Sequence, residues 1–263
     1  AGKSSFINIL AGLTNKTDGV VKICDIDIDK KPKTCRGAIG VVPQEINIDP
    51  FFTPIEILNI QAGFFGVPSK NKQKNNLKIL NELNLLEKAS AYSRSLSGGM
   101  KRRLMVAKAI VHNPNVLVLD EPTAGVDVEL RKKLWTYIKK LNANGITIIL
   151  TTHYLEEAEE LCDHIAIINN GKLVACDSKE KLLNLIDMKE LLIEFDQDLK
   201  EIPVALKKFV VSKKKKTLLL RYSKNKMNTG KIMKIISKSR LEILDLSTRE
   251  TDLEEIFLKL LRK

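Results

Sequence analysis

The stretch Leu96–Asp127, LSGGMKRRLMVAKAIVHNPNVLVLDEPTAGVD, constrains this chain more than any other part of it. It opens on the turn Ser97-Gly98-Gly99, ahead of a helix expected over Met100–His112. Two adjacent glycines leave backbone N–H groups bare at a helix N-terminus, where the aligned peptide dipoles favour an anion such as phosphate. Four apolar residues in a row follow, Val116-Leu117-Val118-Leu119, the pattern of a strand buried on both faces in a parallel sheet. This strand delivers Asp120 and Glu121 at its C-terminal end, where Pro122 and the turn residues behind it stop the strand. Open α/β sheets bind their ligands at that end. Two carboxylates there suit Mg²⁺ ligation by one and water activation by the other.

The flanking sequence repeats the arrangement. An amphipathic helix after Asp127 and through Leu141, with Trp135, Ile138 and Leu141 on one side, is closed by Gly145, and Ile146–Leu150 reads as a second buried strand. It ends at Thr151-Thr152-His153, so His153 and Asp120 can reach one site. Earlier, Ile39–Val42 leads into Pro43-Gln44. The first residues, Ala1-Gly2-Lys3-Ser4-Ser5, precede a helical run from Phe6 to Leu10, and Gly2-Lys3-Ser4 matches the last three positions of the phosphate loop G-x-x-x-x-G-K-[ST]. In that loop Lys3 reaches the β- and γ-phosphates, Ser4 ligates Mg²⁺, and the backbone of Gly2, Lys3, Ser4 and Ser5 cradles the phosphates. The loop's first glycine would lie before residue 1, so the sequence reads as a fragment beginning inside it.

In this order and spacing, LSGGMKRR resembles the signature motif of the ABC-type ATPases, VLVLDEP their Walker B strand, and Ala124-Gly125-Val126-Asp127 their D-loop. The resemblance implies an α/β P-loop NTPase fold, an ABC cassette of mixed sheet and helices with an α-helical subdomain. It makes Gln44 the Q-loop residue that contacts Mg²⁺ and the attacking water, His153 the switch histidine that senses the γ-phosphate, Glu121 the general base and Asp120 a Mg²⁺ residue. ATP and Mg²⁺ are the implied cofactors. Each site in this family is built from two chains, so Ser97, Gly98 and Gly99 of a second copy would close over ATP held by Gly2–Ser5 of the first. His112 and His164 have no such placement and read as structural.

Residues 45–103 carry the expected helical subdomain. Thr53-Pro54-Ile55-Glu56 is a helix start, and a second helix follows the break at Gly66–Lys70, with Leu77, Leu80, Leu83 and Leu86 on one face. By resemblance this subdomain lies against a membrane partner, to which Gly63-Phe64-Phe65-Gly66-Val67 could contribute. The cassette is expected over 1–186. Beyond it, 187–263 reads as a strand (Leu191–Phe195), a short helix (Val204–Lys208), a hairpin (Phe209–Val211 with Leu218–Tyr222), a helix (Gly230–Ser239), a strand (Leu241–Leu246) and a helix (Leu253–Leu261). That βαββαβα order would make a small α+β module without phosphate loop or acid cluster. Its ending, STRETDLEEIFL, resembles the appendage of the ABC-2-type exporter ATPases.

Composition narrows the function classes. Hydrophobic content of 44% and charged content of 29% are ordinary for a globular protein. The longest apolar runs, near Ile146–Leu150 and Ile165–Ile168, fall far short of the roughly 20 residues of a membrane helix, and no signal peptide is evident. Cys24, Cys35, Cys162 and Cys176 lack metal-site spacing and read as reduced thiols. The net charge of +12 invites a nucleic-acid or an acidic-membrane reading, and docking on an anionic membrane surface stays open beside general lysine bias. Lysines nevertheless read as spread through a Lys/Asn/Ile-rich sequence, densest at the turn Lys213–Lys216, with few aromatics between them for base stacking. No nucleic-acid partner is expected. The implied protein is the ATPase of an exporter, peripheral on the cytoplasmic face, working as a dimer with a separate membrane-spanning permease. The alternatives are a soluble ABC ATPase acting on ribosomes or DNA, against which the single signature and absent heptads speak, and a regulatory nucleotide switch. Nothing here encodes the transported substrate.

Overall fold

Three parallel strands form the base of the first unit: β3 (Ile39–Val42), β4 (Val116–Asp120) and β5 (Thr147–Thr151), with β4 in the middle. Leu117, Val118 and Leu119 are fully buried, as a doubly covered central strand requires. The register sets Val42 beside Leu119 and Leu119 beside Leu150, so all three strands finish at one level. The computed structural model describes residues 2–185, 188–199, 201–223, 225–238, 241–250 and 253–261.

Ahead of this sheet lie α1 (Lys3–Leu10), the two-residue strands β1 (Lys22–Ile23) and β2 (Ile26–Asp27), and α2 (Pro32–Gly37). Ile7 and Leu10 of α1 pack with Ile23, Cys35, Ile39 and Val118 into one small core. The helical region follows as α3 (Pro54–Phe64), α4 (Ser69–Glu82) and two 3₁₀ turns, and α5 (Gly98–Ile110) then runs back under the sheet. Thr53 and Glu56 close a capping box on α3, with Pro54 in the first turn, as the sequence suggests. Leu58, Leu80, Leu104 and Val106 join the sheet residues in the largest core.

Two expectations are corrected here. The helix α5 starts at Gly98, because Ser97 caps it and both glycines take helical geometry. It stops at Ile110, before Asn113 turns to positive φ and Pro114 follows. Leu86 is not on the face of α4: the helix ends at Glu82, Asn84 takes a left-handed conformation, and Leu86 sits in a 3₁₀ turn, 44% exposed.

After β4 come α6 (Val128–Ala143), capped by the Asp127 side chain, then β5 and α7 (Leu155–Leu161). Trp135, Ile138 and Leu141 are buried, as the periodicity indicates. The antiparallel pair β6 (His164–Asn169) and β7 (Lys172–Ser178) turns at Asn170-Gly171, both at positive φ, a favoured hairpin turn. The chain divides into two compact units, Ala1–Cys162 with Ile168–Lys172, and Asp163–Ile167 with Leu173–Lys263. The expected division between 186 and 187 lies outside the described residues, as do Thr251-Asp252 of the terminal motif.

In the second unit, α8 (Lys179–Leu183) precedes four strands, β8 (Lys189–Phe195), β9 (Val210–Lys213), β10 (Thr217–Tyr222) and β11 (Ile243–Glu250), with α9 (Thr229–Ser237) before β11 and α10 (Leu253–Leu261) last. The sheet order is β11-β8-β10-β9, antiparallel throughout. This is the split βαβ arrangement of ferredoxin-like sheets. A 3₁₀ turn (Val204–Phe209) replaces the expected first α-helix, and the last strand runs later than expected, to Glu250. Leu191, Ile193 and Phe195 alternate with exposed Leu192 and Glu194, and pack with Leu218, Leu220, Tyr222, Leu206, Ile232 and Ile236. No helix among the described residues is long and apolar enough to cross a membrane.

Candidate active site

The level ends of β3, β4 and β5 bring Gln44, Glu121 and His153 into contact. Gln44 Nε2 donates to Glu121 Oε2 at 3.0 Å, and His153 Nδ1 lies 3.2 Å from Glu121 Oε1. Residues 77 and 32 positions from one another in the chain thus converge on one carboxylate, each oxygen engaged by a different strand's successor. Glu121 has φ +48°, a conformation rare for a residue with a Cβ, and its N–H donates to Thr151 O at 3.0 Å. The turn lifts its carboxylate away from the sheet while its side chain stays only 17% exposed. The His153 ring leans on Tyr154, and the Arg131 guanidinium lies over the Tyr154 ring as well.

Asp120 is the last residue of β4 and is buried. The Thr151 hydroxyl, one strand over, donates to its Oδ1. Lys3 Nζ donates to the next carbonyl, Thr152 O, at 3.3 Å, which places this lysine at the ends of the same strands. Gly2 caps α1 in a left-handed conformation (φ +104°), which glycine adopts without strain. Beyond it, the N–H groups of Lys3, Ser4 and Ser5 open the helix, and Ser4 and Ser5 are exposed. Ser4, Asp120 and Gln44 offer hydroxyl, carboxylate and amide oxygens, hard donors of the kind that suit Mg²⁺.

Ser97 accepts a hydrogen bond from Met100 N at 3.2 Å and starts α5, with Gly98 and Gly99 in its first turn. Among the described residues no hydrogen bond joins Ser97–Gly99 to Gly2–Ser5. The loop after Glu121 is built of tight turns: Ala124 N donates to Glu121 O, and Val126 N to Thr123 O, with Gly125 at positive φ before Asp127 caps α6.

Two supporting side chains escape a reading of the sequence. Arg102, buried in α5, donates from Nη1 to Pro43 O at 2.8 Å and from Nη2 to Gln44 O at 2.6 Å. It fixes the backbone that carries Gln44. Burial lowers its pKa, an effect opposed by the nearby Asp120 and Glu121 carboxylates. The available signal was its spacing: Arg102 precedes the buried Met105 and Val106 by three and four residues, the core face of the helix. Glu157, fully buried in α7, accepts from Thr123 Oγ1 at 2.9 Å and from Trp135 Nε1 at 3.0 Å. It ties the helix after His153 to the loop after Glu121. His112 stacks flat on Phe65, and its Nε2 meets Ile39 O at 3.1 Å. Both side chains line a cavity of about 320 Å³ that includes Pro43 and none of the three contacting residues Gln44, Glu121 and His153.

The family description "ABC transporter" matches residues 1–124. The chain is similar to Nod factor export ATP-binding protein I of Ralstonia nicotianae, 42% identical over 183 residues, which are 70% of this chain and 57% of the relative. It is 40% identical over 184 residues to the protein of the same name from Cupriavidus metallidurans, covering 70% of this chain and 61% of that one. The chain therefore spans less than two thirds of either relative. A solved structure described as "Structure of ATP binding subunit of ABC transporter" superposes with a TM-score of 0.64 at 27% identity, over 70% of this chain and 77% of that one.

Proposed function

We propose that this chain, whose residues 1–124 match the family description "ABC transporter" and whose fold is that of the ABC ATPases, is the ATP-hydrolysing subunit of a membrane exporter whose permease is a separate polypeptide. The single observation that carries the reading is the convergence of Gln44, Glu121 and His153 at the ends of three parallel strands beside Lys3. The names of the relatives, Nod factor export proteins, favour export over import. The cassette occupies 1–186 and the accessory module 187–263.

In this mechanism the backbone of Gly2–Ser5 and the Lys3 ammonium hold the triphosphate. Mg²⁺ held by Ser4, Asp120 and Gln44 would supply charge neutralisation at the β- and γ-phosphates. Glu121 orients a water in line with the γ-phosphate and takes its proton as the water oxygen bonds to phosphorus. The bond from phosphorus to the β,γ-bridging oxygen breaks, leaving ADP and inorganic phosphate. Gln44 and His153 hold the two oxygens of Glu121, which keeps the base aimed. Ser97, Gly98 and Gly99 of a second copy close the site, and the Ala124–Asp127 loop lies along that dimer seam. Nucleotide then bonds the two copies and its hydrolysis releases them, which drives the permease. Exposed apolar side chains of the helical region, among them Phe51, Ile60 and the 82% exposed Phe64, suit a permease contact.

The test is fractionation of the tagged protein from its native cell. Recovery with membranes and a stoichiometric polytopic protein is expected, and Phe64→Asp should lose that protein while keeping ATP binding. Recovery with ribosomes or DNA and no membrane protein would overturn the reading.

A further inference from the structure

The charge is not spread along the chain, as the lysine-rich composition suggests. Between Ile202 and Leu241 lie 13 of the 44 basic residues and none of the 32 acidic ones, so the rest of the chain holds 31 basic against 32 acidic. The whole positive excess belongs to forty residues of the second unit. The described ones among them fall on neighbouring elements. Lys207 and Lys208 are exposed on the 3₁₀ turn, which packs against both β10 and α9. Lys213, the last residue of β9, and Lys214–Lys216, which connect it to β10, are exposed. On α9, Ile232 and Ile236 face the core while Lys231, Lys234 and, just past its end, Lys238 are exposed at helical spacing. Arg221 stands apart, on the open face of the sheet, where it pairs with Glu190.

We propose that this lysine face of the C-terminal module docks on the anionic phospholipid headgroups of a bilayer. Eleven of the thirteen basic residues are lysines, compact point charges suited to diffuse attraction by a negative surface rather than to forked recognition of one group. Nucleic acid is disfavoured by the want of a stacking surface. The stretch has two aromatics, Tyr222 buried in the core and Phe209 partly buried beneath the Lys208 ammonium. Exposed Val204 (81%) and Val211 (48%) lie among the lysines, apolar groups able to enter the headgroup layer. The proposal rests on the exporter reading only in expecting a membrane nearby.

Sedimentation with vesicles of phosphatidylcholine mixed with phosphatidylglycerol, against pure phosphatidylcholine, tests it with the purified protein and no nucleotide. The protein should bind the mixed vesicles alone, and less as salt rises. The variant K214Q/K215Q/K231Q/K234Q should bind more than about a hundredfold more weakly, at roughly fivefold per lysine. The variant K70Q/K72Q/K74Q/K78Q, which removes the same charge from α4, should bind as wild type does. Unchanged melting temperatures and ATP binding certify both folds. Equal loss in both variants, or no binding to mixed vesicles, would overturn the proposal. None of these outcomes bears on ATP hydrolysis, whose failure would be read separately in turnover.

Discussion

Glu121 combines two costs that a merely structural residue would shed: a positive φ and a carboxylate held between two polar side chains. Such strain persists where surroundings over-determine it, here through the Thr151 carbonyl and the contacts of Gln44 and His153. Arg102 is the counterpart on the β3 side. Replacing it with Met should strand the Pro43 and Gln44 carbonyls, at about 1–3 kcal/mol of stability for each group left unsatisfied. It should also lower kcat by up to about a hundredfold through misplacement of Gln44, with ATP affinity little changed; Arg102→Lys should recover little of either, lacking the fork. Equal kcat in R102M and wild type would remove Arg102 from the site's scaffold. His112 gives a pH dependence of definite sign. Burial lowers its pKa below the ordinary 6.5, so the unfolded chain binds the proton more readily. Its contribution is present above that ordinary value and is lost as pH falls from there through the lowered folded-state value, so H112Q should flatten the stability loss on the acidic side in denaturant titrations. At this scale the sequence revealed residues that follow apolar strands, Asp120, Glu121 and His153, because strand ends advertise themselves. It hid Arg102 and Glu157, because a charged residue on a helix reads as solvated until the elements packed over it are known.

Elements set the precision of the site. β3 can approach α5 only through Gly40, where an added Cβ would lie 2.2 Å from Ala109 O. Backbone on both sides must move to admit a methyl group, so Gly40→Ala should cost about 1–3 kcal/mol and several degrees of melting temperature, with turnover falling because Gln44 follows that strand. A melting temperature equal to wild type would mean that the contact gives way freely. The loop from Glu121 to Asp127 depends likewise on α7, through Glu157. Glu157→Ala leaves the Thr123 hydroxyl and the Trp135 indole N–H without their acceptor. Since Trp135 is the sole tryptophan, its fluorescence emission should shift in E157A. The parallel strands and the helix α6 were legible from apolar runs and periodicity. The ends of α4 and α5 were not, because they are decided by single residues, Asn84 in a left-handed turn and Ser97 as a cap.

For the whole molecule, the motif order was readable, as was the succession of elements in the second unit apart from the 3₁₀ turn that stands in place of its first helix. The hairpin of β9 with β10 was readable too, whereas the other strand partners were not. The order β11-β8-β10-β9 follows from which faces must be buried together, a question no local pattern answers. The charge was equally deceptive, since a total of +12 conceals a nearly neutral remainder and one basic stretch. What binds these levels into one function is the claim that Glu121 is the base of an ATP-hydrolysing site. Glu121→Gln keeps the size and hydrogen-bonding capacity of the side chain and removes its basicity. Turnover and ATP binding measured together on that variant are the most direct test: binding at wild-type strength with hydrolysis reduced by about 10²–10⁴ is the expected result, and near-normal hydrolysis would contradict it.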